Sequence, residues 1–429
     1  MDTHFIEIVC SVAPLRSARM ERRVTLESQS IGSMPTNNTR RDWFIRFALV
    51  FFCVGFWRSE WMLISSPLLI VAWLMDGGAC RLNQMFKVPL VQALLLLCAL
   101  LLLGLLWSEW PQNARMKWLK YFALLIFIPF CSLMNKERLP WALGSLIASY
   151  LCVLAVGVYQ WLDIDAQGIP LLGMSYLSFS AMLGIGAIVT SGIACMNPSI
   201  KLQILFVMGA LTLLFIQFHQ NGRMFLLVTL ISILLIIFLR YKIEMRKFFS
   251  ILLLMLIVGV AFAYSSPAFQ VRLMQIKSDI ELLQQGNHSS SLGYRLAMWD
   301  VGLHGIAERP LSGFGTGAPE KYFEKTIVTY RNGLYKDLPE FQETVHYHND
   351  WIEIGMHVGI PGMLTLGFLL WSWYQAFHRS NLNLLGAGLV SFIFLAGFTE
   401  TFIIFSRTPI LLLIITAIAM NWNERERDS

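Results

Sequence analysis

The chain has 429 residues, 56% hydrophobic and 14% charged, with a formal net charge of +6. This composition excludes an ordinary soluble domain, and recurrent long apolar runs point to a polytopic membrane protein. Seven cysteines stand at 10, 53, 80, 98, 131, 152 and 195. None falls in the long polar segment from about 265 to 350, so that segment has no disulfide framework and the spacing suits no zinc site.

Residues 1–42 are polar, carry mixed charge and lack a signal-peptide core, so a disordered tail is expected, with the first span acting as the targeting element. A crossing needs about 20 mainly apolar residues. About twelve spans are expected, at 43–57, 61–75, 88–107, 118–134, 141–161, 171–194, 202–219, 223–239, 248–264, 351–377, 382–404 and 408–422. The first two are short enough to form a re-entrant or tilted pair. The expected architecture is all-α: transmembrane helices 1–9 within 43–264, a large helical loop over 265–350, helices 10–12 within 351–422, and a short tail at 423–429.

Basic residues near span ends are retained on the cytoplasmic side. Arg40 and Arg41, Arg81 and Lys87, Lys136 and Arg138, Lys201, Arg240 to Lys247, Arg379, and Arg425 with Arg427 mark successive inner loops. Both termini are then cytoplasmic and the 265–350 loop lies outside. Arg115, Lys117 and Lys120 break the rule on the outer side, as do Arg223 and Arg407. Snorkelling accounts for Lys117, Lys120 and Arg407. Arg223 is set among Gln217, His219, Gln220 and Asn221, and an ionisable group at membrane depth is costly unless paired or functional.

In spans five and six, Gly144, Gly157, Gly184, Gly186 and Gly192 allow close helix contact. Asp163 and Asp165 form a weak carboxylate pair, better read as a solvated loop than as a metal site. The outer loop opens with an apolar stripe of Val271, Met274, Ile276, Ile280 and Leu283, expected to be an amphipathic helix. A second helix from about 292 to 308 sets Arg295, Trp299 and Gly302 on one face. Pro310 ends it, and Gly313, Gly315 and Gly317 give a turn able to approach a substrate closely.

The loop ends on His346, Tyr347, His348, Asn349 and Asp350, where polar chain meets an apolar helix. Asp350 with Glu353 has the form of a capping box, which starts the helix at Trp351. His346 and His348 have the spacing of a two-histidine metal site, but no carboxylate apart from Asp350 completes a ligand set, so metal is not preferred. His357 is assigned to Glu353 as a structural partner.

His348-Asn349, nine residues, Gly359, two residues and Gly362 resemble the signature of the O-antigen ligase/polymerase superfamily. Asn221-Gly222-Arg223 and the run Arg295, Trp299, Pro310, Gly313, Gly315 and Gly317 agree with it in order and separation. Family members often carry serine before the first arginine; here Gly222 removes that hydroxyl. The motifs cover roughly 205–365.

The resemblance implies transfer of O-antigen polysaccharide from undecaprenyl diphosphate to lipid A-core at the periplasmic face of a bacterial inner membrane. It implies inversion, and no metal or nucleotide cofactor. Membrane lipids are expected partners and nucleic acid is not. Always-charged guanidinium forks suit Arg223 and Arg295 to clamping a diphosphate, and His348 suits general-base duty toward a sugar hydroxyl. His346, Asn349, Arg115, Lys117, Lys120 and Trp299 are the expected substrate-binding residues, Asn349 orienting His348 or the acceptor. Two alternatives stand beside this reading: an O-antigen polymerase using a second lipid-linked repeat as acceptor, and a polysaccharide-lipid transporter. A transporter fits less well because the chain lacks a repeated half.

Overall fold

The computed structural model describes residues 39–108, 117–265, 267–338, 346–405 and 407–427. Most of the expected N-terminal tail lies outside them. The chain runs through α1 (Thr39–Gly55), α2 (Ser59–Met75), α3 (Gly78–Met85) and α4 (Pro89–Gly104), then a 3-10 segment (Lys117–Ile126) leading into α5 (Phe127–Leu133). After α6 (Leu139–Ile164) come α7 (Tyr176–Met196), α8 (Ile200–His219), α9 (Arg223–Tyr241) and α10 (Met245–Ser265). The loop carries α11 (Pro267–Gln284), α12 (Ser291–Glu308) and α13 (Pro319–Thr326), and α14 (Asp350–Arg379), α15 (Asn383–Thr399) and α16 (Thr408–Arg427) complete the chain. No strand occurs among the described residues.

Five helices, α6, α7, α8, α9 and α14, are long and apolar enough to cross a membrane, and α2 with α3 makes a sixth as a pair bent by 94°. Pro89–Gly104, Trp118–Leu133, Asn383–Thr399 and Thr408–Trp422 are apolar but shorter. The chain is therefore an all-helical membrane protein with five to six full-length candidate spans among the described residues; several of the twelve expected segments are helices too short to cross unaided. The first two expected spans are separate helices, α1 and α2, and a further sharp bend follows between α2 and α3.

Burial separates central from peripheral helices. In α7 and α14, 61% of the apolar window is buried inside the protein, against 22% in α8, whose Ile204, Leu205, Met208 and Phe215 are exposed. α7 packs against α8, α9 and α15, while α14 packs against α4, α12 and α15. Small residues make this possible. A Cβ on Gly157 would come within 2.4 Å of the Phe179 ring, and one on Gly184 within 2.3 Å of the Thr229 hydroxyl. Gly144 has open space around it and serves no such contact.

The helix α14 is broken at Val358 and Gly359, where φ at Gly359 is +72°. Pro361 lacks an N–H and its ring collides with the preceding turn, so the backbone must find partners elsewhere. The glycine turn supplies them: Ile360 N–H donates to Pro310 (2.7 Å), and Phe314 and Gly315 N–H donate to the Met356 and His357 carbonyls (2.8 and 3.0 Å). Gly313, Gly315 and Gly317 all have positive φ. A Cβ on Gly315 would lie 2.4 Å from the Ser108 backbone. Thr316 completes the joint, its hydroxyl donating to the Leu101 carbonyl at 2.7 Å. This turn docks the loop over 265–350 onto α14 and the end of α4.

The expected stripe on α11 is not one-sided. At 100° per residue Val271 and Met274 fall roughly opposite Ile276 and Ile280, and all four are exposed.

At the far end of the bundle Arg138, 5% exposed, ties three helices together. Its guanidinium donates to Asp42 (3.0 Å), to both carboxylate oxygens of Asp76 (3.0 Å each) and to the Leu133 carbonyl (3.2 Å). Arg81 also reaches Asp76, at 2.6 Å. Removing one member of a buried ion pair strands the rest without compensation. Arg138→Ala is expected to destabilise the protein by about 3–5 kcal/mol. Arg46 pairs with Asp42 at 2.6 Å on the wetter rim of the cluster, and Arg46→Ala should cost less than about 1 kcal/mol. Thermal unfolding of the purified protein in detergent distinguishes the two.

Candidate active site

The site begins with how α14 starts. Its cap is Asn349, not Asp350: the Asn349 side-chain oxygen accepts from Trp351 N–H (2.9 Å) and Ile352 N–H (3.2 Å). Asparagine is a favoured cap because its carbonyl satisfies donors that the first turn leaves unpaired. The remaining Asn349 amide donates to the Phe398 carbonyl at 3.3 Å. The residue is 4% exposed, and these bonds organise the backbone on both sides of the cap. Asp350 is buried inside the first turn, and Ile403 N–H donates to it.

His348, just before the cap, has φ +48°. Non-glycine residues pay for this left-handed conformation, and it persists where surrounding contacts enforce it. The backbone on either side is held. Trp299 Nε1 donates to the Tyr347 carbonyl at 3.1 Å, and Tyr347 N–H donates to Glu353 at 2.9 Å. A Cβ on Gly302 would strike Tyr347 and Ile352, so α12 lies directly against the histidine segment. Trp299, expected at the substrate, thus holds the strand of chain that presents His348.

Glu400 is the centre of the site and was not singled out in the sequence. It immediately follows α15, and its side chain is 1% exposed. One carboxylate oxygen receives the Arg295 guanidinium. The other lies 2.7 Å from His348 Nδ1. This carboxylate joins α12, the His348 segment and the end of α15. The available signal was a lone carboxylate within an apolar run, where an unpaired charge is costly.

Burial pushes the His348 imidazole below its usual pKa. The Glu400 carboxylate opposes that shift, while His346 and Arg295 add to it. Burial alone would raise Glu400, but the two imidazoles and the Arg295 charge hold its carboxyl well below the usual carboxylate range. An ionised Glu400 accepting from Nδ1–H fixes one histidine tautomer and leaves Nε2 with its lone pair.

The His346 ring stands 4.2 Å from that of His348, centroid to centroid. Its Nε2 is 3.9 Å from Glu400, beyond hydrogen-bond reach, and neither ring nitrogen has a partner among the described residues. The ligand atoms of His346, His348 and Glu400 all lie within 4.8 Å of one another. Two imidazoles and a carboxylate suit a divalent transition metal. The carboxylate that the sequence lacked beside the histidines is therefore present, brought from α15. The Arg295 cation on that same carboxylate counts against a second positive charge there.

Arg223 opens α9, and its guanidinium contacts the Gln275 side chain on α11. No direct contact with His348 or Glu400 occurs among the described residues. The link is one step removed: Phe225 packs at ring distances of 6.0 Å on Phe402 and Phe405, just beyond Glu400. A polar belt fixes the entry to α9. Gln217 donates to the Ser180 carbonyl and the Thr229 hydroxyl, and Asn221 N–H donates to Gln167. Ser180 Oγ donates to the Gly222 carbonyl at 3.2 Å and would lie 2.5 Å from a Cβ at that position. A hydroxyl is thus present beside Gly222, contributed by α7.

Other expected site residues are less engaged. Arg115 lies outside the described residues, as does the side chain of Lys117; Lys120 is exposed. Arg407 is spent on the backbone, donating to the Gly173 and Leu172 carbonyls at 3.0 and 2.9 Å. Asp163 and Asp165 are exposed at the end of α6, where Asp165 is the C-cap.

An all-helical membrane protein with a histidine-carboxylate-arginine cluster where the loop over 265–350 joins the bundle is the class this fold and site define. Residues 208–367 match the family model described as O-Antigen ligase. A protein from Escherichia coli (strain K12), "O-antigen ligase", is 28% identical over 246 residues, 57% of this chain and 56% of that protein. An "Uncharacterized protein" from Haemophilus influenzae is 27% identical over 135 residues, covering 31% of this chain and 33% of that one. The alignments thus span about half and a third of these relatives. Through residues 208–367 the chain is similar to the O-antigen ligase family.

The charges around His348 set a testable order. Its imidazole is expected to titrate below the free value, and Glu400→Gln should lower it further by removing the one neighbour that favours imidazolium. Histidine-selective NMR titration reads this directly; an upward shift in the variant contradicts the arrangement.

Proposed function

We propose that the protein is a metal-independent, inverting glycosyltransferase. It ligates O-antigen polysaccharide from undecaprenyl diphosphate onto lipid A-core at the periplasmic face of the inner membrane. The observation that carries this reading is His348 Nδ1 against a buried Glu400 with Arg295 on the same carboxylate. Such a histidine is a preset base. The inner-loop distribution of Arg and Lys supports cytoplasmic termini, with the 265–350 loop and the site outside.

In the proposed reaction, Nε2 of His348 accepts the proton of an acceptor sugar hydroxyl as its oxygen attacks the donor anomeric carbon. The bond from that carbon to the diphosphate oxygen breaks, and the electron pair leaves with the diphosphate. One displacement inverts the carbon. Arg223 and Arg295 are the charged donors near the leaving group's side of the site, and guanidinium forks stabilise a developing anion where it forms. Glu400 stabilises the imidazolium that results. A polymerase would use the same donor chemistry with a second lipid-linked repeat as acceptor, and only the acceptor separates the two.

The test is transfer by purified protein from undecaprenyl-diphosphate O-antigen to lipid A-core. His348→Ala is expected to lose at least about 10²-fold, and Arg223→Ala or Arg295→Ala about 10²- to 10³-fold each. Wild-type turnover from any one of these would remove that residue from the mechanism. Activity is expected to survive EDTA, and His346→Ala should be milder than His348→Ala. EDTA sensitivity with equal loss at both histidines would instead assign the trio to a metal. Elongation of a lipid-linked repeat in place of transfer to lipid A-core would mark a polymerase.

A further inference from the structure

We infer that Asp350 is a positioning residue, whose carboxylate holds the turn after α15 so that Glu400 meets His348. The inference rests on the base role given to His348 above. Three consecutive residues reach the same short segment of chain. His348 pairs with Glu400 at 2.7 Å, the Asn349 amide donates to Phe398 O at 3.3 Å, and Asp350 accepts from Ile403 N–H at 3.3 Å to each oxygen. Glu400 is therefore bracketed. One anchor lies two residues before it and one three residues after.

The bracket is needed because Glu400 has left its helix. Its N–H still donates to Ala396, but its backbone is extended, at φ −149° and ψ 161°. The 3-10 turn Phe402–Ile404 follows, and the first donors of such a turn have no partner of their own. Asp350 satisfies one of them. It is 1% exposed, and the hydrogen bonds that its carboxylate accepts among the described residues come from backbone N–H. A buried carboxylate facing only backbone donors is costly on stability grounds alone. The site has also been shaped around it: a Cβ on Gly397 would come within 2.8 Å of Asp350 Oδ2. The same turn carries Phe402, whose ring packs on Phe225 two residues after Arg223. Holding the turn thus sets Glu400 against the base and backs the helix that carries the first arginine.

If Asp350 acts through Glu400, then releasing the turn removes the carboxylate from His348 as surely as mutating it does. The charged groups facing His348 are Glu400, His346 and Arg295, with the Tyr294 ring 6.4 Å away edge-on, so loss of Glu400 contact lowers the imidazole pKa. The experiment is a double-mutant cycle on the full-length protein in detergent, read by NMR titration of His348 and by transfer rate. Asp350→Ala is expected to lower the His348 titration as Glu400→Gln does. Turnover should fall by about 10²-fold, as for a misplaced group. The double variant should match Glu400→Gln in both readouts, because the two changes remove one contact. Asp350→Asn keeps an acceptor oxygen and should restore most of both.

An unchanged His348 titration in Asp350→Ala, or independent losses that multiply in the double variant, would overturn the inference. Should Asp350→Ala fail to fold, Gly397→Ala reports instead. Crowding Asp350 from the other side should lower the His348 titration, and no change would count equally against the inference. The titration reads the clamp even if His348 proves not to be the base, since that failure appears separately as full activity in His348→Ala.

Discussion

The Glu400 carboxylate is the contact on which the site depends. Alone, a carboxylate this deeply buried would be expelled or neutralised, because burial penalises its charge. It stays ionised because Arg295 and His348 meet its two oxygens. Each partner comes from a different part of the chain: Arg295 from a loop helix, His348 from the entry to α14, Glu400 from the end of α15. One charge requirement thereby binds loop and bundle, and it orients the imidazole as well. Structural cohesion and chemical readiness are the same interaction here.

Around this point the protein separates functions that lie close together in sequence. In the stretch from His348 to Gly362, His348 faces the site, Asn349 caps the helix, Asp350 grips the turn beyond α15, and Gly359 opens the break that receives the glycine turn. About ten residues of helix, some 15 Å at 1.5 Å per residue, separate the chemistry from the dock. His357 links them, accepting Gly317 N–H on Nδ1 while its other nitrogen faces Glu353. The loop is thus fastened to the bundle at both ends of that helical stretch. A loop held this way can present Arg295 and Trp299 with little freedom, which preorganised charge requires.

Arg223 shows a different arrangement. Its helix entry is built from hydrogen bonds among Gln167, Ser180, Gln217 and Asn221, which anchor the backbone. Its side chain is not held by a carboxylate among the described residues and rests against Gln275, a neutral and replaceable neighbour. A guanidinium so placed can exchange a weak partner for an anionic ligand. Arg138 and Arg407 are the contrast, one buried among carboxylates and the other saturated by carbonyl oxygens and a serine hydroxyl.

Hydropathy and motif spacing determined that this is an all-helical membrane protein, located its helices closely, and drew attention to Arg223, Arg295 and His348. Those features are local: an apolar run, a basic loop and a spaced motif each carry their own signal. Crossing length was less legible, since an apolar run is not a straight helix, as α2 with α3 and the Lys117–Leu133 segment show. The roles of Asn349, Asp350, Trp299 and the glycine turn were decided by tertiary structure, because a capping or docking role depends on which backbone donor lies opposite. Glu400 was decided there too. A lone carboxylate in an apolar run marks it as costly; what makes it central is the meeting of three segments remote in sequence, and only folding brings their charges within reach.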